Sequence, residues 1–183
     1  MGFALKTEHL PHYTYDDYCK WEGKWELIEG VPYAMTPLPS IKHQRVNGFI
    51  YAQLLSLLAG CRNCEVLMPV DWKVNENTVL QPDVSVICKP IMHKNYLNFA
   101  PAVVFEIISP SSAVKDRNVK FEIYQNEKVR YYVLVDAEQD GAEVFELVNE
   151  TYVKRIETNK DVFTFNLDKD CKVQFDFAQI WVT

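Results

Sequence analysis

Apolar residues recur along this chain at two distinct periods. Between Ile41 and Gly60 the run "IKHQRVNGFIYAQLLSLLAG" places Val46, Phe49, Ile50, Leu54, Leu57 and Leu58 at helical spacing. Gly60 fits just past the end of that helix. Three strand signals follow: "EVLMPVDWKVN", which alternates and is followed by a turn at Asn75 to Asn77, then "QPDVSVI", then "AVVFEIIS". The last is nearly continuous and rich in β-branched residues, as expected for a central strand covered on both faces. "VKDRNVKFEIYQNEK" reads as a second helix, with the serines of "SPSS" placed to cap it. "VRYYVLVD" is another strong strand. "GAEVFELV" and "TYVKRIE" form a hairpin pattern, and "DVFTFNLD" and "CKVQFDF" add further strands. Upstream, Thr14 with Asp17 makes a capping box for a short helix. "KWELIEGVPYAM" reads as a hairpin turning near Glu29 and Gly30.

Helix, three strands, helix, strand is an order that requires at least one parallel pair, because a crossover helix returns the chain in the same direction. The pattern predicts one α/β domain over residues 1–183. One mixed, twisted sheet is flanked by helices, with extra hairpins at both ends. No repeat, low-complexity tract or linker interrupts it.

Composition narrows the function classes. The net charge is −6, which argues against broad electrostatic binding of nucleic acid while leaving room for a local basic cleft. The longest apolar runs are too short to cross a bilayer. The first residues carry no secretory pattern, and Lys6 stands where a myristoylation motif wants Ser or Thr. Five scattered cysteines, an odd number, fit a reducing cytosol better than a disulfide framework. Cys61 and Cys64 form a CxxC, but Cys19, Cys88, Cys171 and His43 offer no second knuckle for zinc. The expectation is a cytoplasmic protein.

Two acids stand out against this background. In "QPDVSVI", Pro82 marks a strand start or edge, where no ladder donor is needed, and Asp83 opens the strand. Glu106 lies in the middle of the most apolar segment of the chain. A lone ionised carboxylate there costs several kcal/mol, roughly, unless it is paired or bound to a cation. Two such acids on neighbouring strands call for positive charge between them, and hard oxygen ligands select Mg²⁺, Mn²⁺ or Ca²⁺. Serine-hydrolase and phosphate-loop signatures are absent.

Pro82-Asp83 with Glu106 resembles the PD-(D/E)XK signature of the restriction-endonuclease-like superfamily. The wider pattern is similar to its Uma-two family of small bacterial proteins named as restriction endonucleases. The matching stretches are "WELIEG" (25–30), "HQRV" (43–46), "QPDVSV", "FEIISPSS" (105–112), "DRNVKFEIY" (116–124) and "YYVLVD" (131–136). Each is weak alone; the set, in this order, is specific. The resemblance implies a restriction-endonuclease-like fold and Mg²⁺-dependent hydrolysis of DNA, with Mn²⁺ as a substitute metal. It also implies a homodimer, since related nucleases pair to cut both strands. Asp83 and Glu106 would hold the metal, with the Ile107 carbonyl as a further ligand.

The chain departs from the superfamily in two places. Ile108 stands where the signature lysine belongs, and Lys120 on the next helix is the natural replacement, to orient the attacking water or steady the transition state. Asp116, Lys120 and Tyr124 fall on one helical face at i, i+4 and i+8. The helix from Ile41 carries no acid, so Glu26, or Glu29 as second choice, would complete the site. His43 would hold a phosphate or a metal-bound water. Each residue also has an ordinary reading. Asp83 suits a turn after proline, Glu106 a core acid paired with Lys120 or Arg117, and Lys120 a solvated helix lysine. Glu26 suits the polar face of a strand, and His43 the surface. A fold does not fix its chemistry. The alternative function is therefore a catalytically inactive, self-associating binding module.

Overall fold

The first hairpin turns where the sequence has Glu29-Gly30, and both residues lie at positive φ (49° and 79°). A two-residue loop of this kind matches the twist of the strands it joins. Glycine is required at the second position for another reason: a Cβ there would meet the His12 ring at 2.6 Å. In this computed structural model the described residues are 11–35, 38–93, 95–109 and 113–181. The readings of the first residues and of the Ser111–Ser112 cap lie outside them.

Three α-helices and thirteen strands follow in chain order among the described residues. α1 (Tyr15–Tyr18) is capped as the sequence predicts, with the Asp17 carboxylate accepting from the Thr14 N–H at 3.1 Å and its hydroxyl at 2.9 Å. The hairpin is β1 (Trp25–Ile28) and β2 (Val31–Ala34), followed by α2 (Ile41–Leu57) with Ser40 as its N-cap. Next come β3 (Glu65–Leu67), β4 (Asp71–Asn75), β5 (Thr78–Leu80), β6 (Val84–Ile87), β7 (Tyr96–Leu97) and β8 (Val103–Ile108). A wide π-helical turn over Lys115–Lys120 leads into α3 (Phe121–Asn126). The chain then forms β9 (Tyr131–Asp136), β10 (Gly141–Val148), β11 (Thr151–Thr158), β12 (Val162–Asp168) and β13 (Cys171–Asp176).

These strands make a six-stranded sheet, β11-β10-β9-β8-β6-β3, a five-stranded sheet, β2-β1-β5-β4-β7, and the separate hairpin β12-β13. The α/β class and the parallel β8/β9 pair agree with the sequence, but the single sheet it suggested is divided. Pro69 and Val70 break the "EVLMPVDWKVN" run, so β3 joins one sheet and β4 the other. The short β5 has no sequence signal of its own.

The period-two pattern of the central strands explains the layers. Val84, Val86, Val103, Phe105 and Ile107 face Val46, Ile50 and Leu54 of α2 and Phe165, Val173 and Phe175 of the last hairpin. Ile87, Val104 and Ile108 face the other way, with Trp72 and Leu80 of the five-stranded sheet and Tyr124 of α3. Tyr124 stacks on Trp72 at 5.7 Å between ring centroids.

The cysteines correct the expectation that no disulfide framework exists. Cys64 pairs with Cys88, and Cys61 with Cys171. Glu65 lies opposite Ile87 in the β3/β6 register, so the first bond extends that ladder by one position. The second fastens the end of α2 to the start of β13. Both members of the CxxC are thereby used, and Cys19 is the free cysteine among the described residues. No helix among the described residues is long and apolar enough to cross a membrane.

Candidate active site

Pro82 and Asp83 stand just ahead of β6, in the position where a proline costs no ladder bond. In the β6/β8 register Val84 lies opposite Phe105, so Asp83 continues the ladder opposite Glu106. Opposed residues share a face, which brings the two acids to the same side of the sheet. The Asp83 Oδ2 accepts the Ile107 N–H at 2.8 Å. Asp83 is therefore tied to the central strand.

The buried charges gather around Lys120. Its Nζ lies 2.8 Å from Glu26 Oε1, 2.8 Å from Glu106 Oε1 and 3.6 Å from Asp116 Oδ1. The Tyr124 hydroxyl donates to the same Glu106 oxygen at 2.5 Å. Glu26 comes from the middle of β1 and is fully buried. Its second oxygen takes Lys115 Nζ at 2.5 Å, and Oε1 also accepts the Gln81 N–H at 3.1 Å. The other candidate, Glu29, is exposed in the hairpin turn. Asp116, Lys120 and Tyr124 are all buried, in agreement with the single face read from their spacing.

Lys115 was not among the residues singled out, and the π-turn is the reason. In an α-helix, residues five apart point about 140° away from each other. The i→i+5 ladder of the wide turn brings Lys115 and Lys120 onto one side, where both reach Glu26. Gln81 was overlooked because it acts through its backbone. Neither feature leaves a trace in residue type or helical period.

The electrostatics follow from burial and pairing. Burial opposes the charged form of Lys120, but Glu106, Glu26 and Asp116 outweigh it and hold the ammonium far above its ordinary value. Burial also works against charge on Glu26, yet Lys120 and Lys115 keep its carboxyl below the usual range. For Glu106 burial wins over the pull of Lys120, and the carboxyl is pushed up to about 8, with Asp116, Asp83 and Glu26 adding to the shift. His43, near the start of α2, lies with Nε2 3.4 Å from Asp83 Oδ2. Burial lowers its pKa, but Asp83 and the Ile107 backbone raise it beyond the ordinary value.

All of Glu26, His43, Asp83, Glu106, Ile107 and Lys120 thus converge at one end of the central strands. Among the described residues no group of three or more His, Cys, Asp or Glu side chains is arranged to hold a metal ion. The set expected here is a different one, two carboxylates and a backbone carbonyl. Asp83 and Glu106, opposed in register, carry oxygen donors of the type a hard divalent cation takes. A cavity of about 370 Å³ lined by Arg117, Asp136, Asp140, Glu143 and Glu157 contains none of these residues.

Comparison with known proteins now adds the family. The Uma2 family model, described as "Putative restriction endonuclease", matches residues 14–168. "Uncharacterized protein slr1290" of Synechocystis sp. is 31% identical over 138 residues, covering 70% of each chain. The crystal structure of "a putative nuclease belonging to DUF820" from Anabaena variabilis superposes with a TM-score of 0.75. It covers 92% of this chain and 97% of that one at 16% identity, a likeness of fold.

Proposed function

This chain belongs to the Uma2 family, and on that footing we propose that it is a Mg²⁺-dependent endonuclease that hydrolyses DNA phosphodiester bonds. One observation carries the reading. Asp83 and Glu106 stand opposite each other across β6 and β8, at the end of the sheet where Glu26, His43 and Lys120 also gather. Asp83, Glu106 and the Ile107 carbonyl would hold Mg²⁺ or Mn²⁺. The ion, when bound, would lower the pKa of water and polarise the phosphate. The Ile107 N–H orients Asp83. Lys120, between Glu26 and Glu106, keeps two acids together that would otherwise repel. His43, beside Asp83, can offer a proton or a hydrogen bond to a phosphate oxygen. The same reading places the protein on DNA, in the cytoplasm, as a homodimer. The two disulfides pull against a reducing compartment, and a count of free thiols decides that point.

A second reading is favoured by a specific contact. The Glu106 oxygen is engaged by both Lys120 and Tyr124, as in a paired core acid, and this suits a nuclease fold kept for binding. Calorimetric titration of Mg²⁺ and Mn²⁺ into wild type and Asp83→Ala separates the two, followed by assay on supercoiled, linear and single-stranded DNA. The nuclease reading expects metal binding by wild type alone and cleavage reduced on the order of 100-fold or more in the variant. Absence of metal binding and of cleavage in both proteins leaves the binding module.

A further inference from the structure

We propose that Lys115, and not Lys120, is the lysine that meets the scissile phosphate, while Lys120 serves as the internal counter-ion of the site. This rests on the nuclease reading and changes its division of labour. A lysine ammonium carries three donors and no acceptor. Those of Lys120 face three carboxylates, Glu26, Glu106 and Asp116, and its side chain is only 3% exposed. With two carboxylates at 2.8 Å and Asp116 in a longer ion pair at 3.6 Å, the ammonium is enclosed by acids, and turning it outward would strand three buried carboxyl groups.

Lys115 is placed differently. Its side chain is 22% exposed, against 0% for Glu26, so it forms the accessible side of the same ion pair. One contact, to Glu26 Oε2, fixes the ammonium in position. Its other close neighbour is the Tyr33 ring, half-open to solvent, with the centroid 5.5 Å away. A face-on ring attracts the cation without using a directed donor. Among the described residues no further acceptor takes this ammonium, which leaves two N–H groups for oxygens arriving from outside. The wide turn over Lys115–Lys120 gives one helical segment two lysines on one acid, the inner one holding the acids and the outer one meeting the substrate. Lys115→Met also leaves Glu26 paired with Lys120, so the variant should keep its fold.

The test uses the full chain and four proteins: wild type, Lys115→Met, Lys115→Arg and Lys120→Met. Binding of a fluorescein-labelled DNA oligonucleotide is followed by anisotropy, in EDTA and in Mg²⁺, across a salt series. Cleavage and the thermal midpoint are measured on the same samples. Lys115→Met is expected to bind about 5- to 10-fold more weakly, with a salt slope shallower by about 1. Cleavage should fall on the order of 100-fold, with the midpoint close to wild type. Lys115→Arg should restore binding. Lys120→Met should lose its midpoint first and affect DNA through that loss. Unchanged binding and salt slope in Lys115→Met overturn the proposal. So does a stable Lys120→Met that loses binding while Lys115→Met keeps it. The nuclease reading fails separately. If wild type binds but cuts nothing and Lys115→Met still weakens binding, the phosphate contact stands and the catalysis falls. If wild type does not bind DNA at all, both fall.

Discussion

At the start of β6, Asp83 leans on a backbone N–H and on His43; one position past its end, Cys88 is bonded to Cys64. α2 shows the same contrast. His43 lies near its first residue, and Cys61, joined to Cys171, follows the turn that ends it. The helix is 17 residues long, about 25 Å, so the two ends of the layer are well separated. At one end, three carboxylates and two ammoniums are gathered in or beside the core. Taking such groups out of water costs several kcal/mol each, roughly, and their mutual attraction returns only part of that cost. At the other end, covalent bonds hold chain segments far apart in sequence. A site built from buried charge needs a scaffold that does not rely on it, and the disulfide end provides one.

Removing the covalent end should have the largest effect. Cys61 and Cys171 are separated by 110 residues, and Cys64 and Cys88 by 24. Cross-links of this kind contribute about 2–4 kcal/mol each. Reduction with a strong thiol should shift the urea midpoint of the whole chain accordingly. Titration of the unreduced, denatured protein should find a single free thiol, Cys19. Five thiols, with no effect of reductant, would mean that the bonds do not form where the protein is made. The contrast between the ends would then collapse.

Breaking the charged end from within should come next. Glu26→Ala leaves Lys120 facing Glu106 and Asp116 without its third acid and strips Lys115 of its partner. Removing one member of a buried pair typically costs about 3–5 kcal/mol. Denaturation of Glu26→Ala and Glu26→Gln checks this, with the amide variant expected to lose less because it still accepts from Gln81. A loss below about 1 kcal/mol, the usual value for exposed pairs, would show that the acids at this end are effectively solvated.

The two ends were not equally legible. Alternation in "QPDVSVI" and "AVVFEIIS", with an acid in each, indicated the charged end because a carboxylate in an apolar strand needs a partner. Helical spacing was enough to put Lys120 and Tyr124 on one face. Spacing could not show the π-turn, which follows from tertiary fit, so Lys115 was hidden. The disulfide end was misread because Cys171 is 110 residues from Cys61. Only the β12-β13 hairpin, packed on α2, brings them together. The division into two sheets depends on β5 pairing with β1, a contact between Leu27 and Val79 that no local pattern records.

The smallest expected effect is a dependence on pH that belongs to one end alone, since bonded cysteines do not titrate. Burial, chiefly, raises Glu106 to about 8, so the folded chain holds a proton that the unfolded chain has already released. Stability rises with pH only where the unfolded state binds more protons, and here the folded state does. The contribution is therefore complete below the ordinary carboxylate value and is lost as pH climbs through about 8. His43, raised by Asp83 against the effect of burial, has the same sign. Glu26, held low by its lysines despite its burial, loses its contribution only in acid. Urea midpoints measured between about pH 6 and pH 8.5 should fall steadily. Glu106→Gln should flatten most of that fall and His43→Gln a smaller part. A Glu106→Gln midpoint that falls as steeply as that of wild type would mean that Glu106 is ionised throughout this range, with Lys120 outweighing its burial. The charged end would then be a conventional ion pair and no longer a site kept one proton short of full charge.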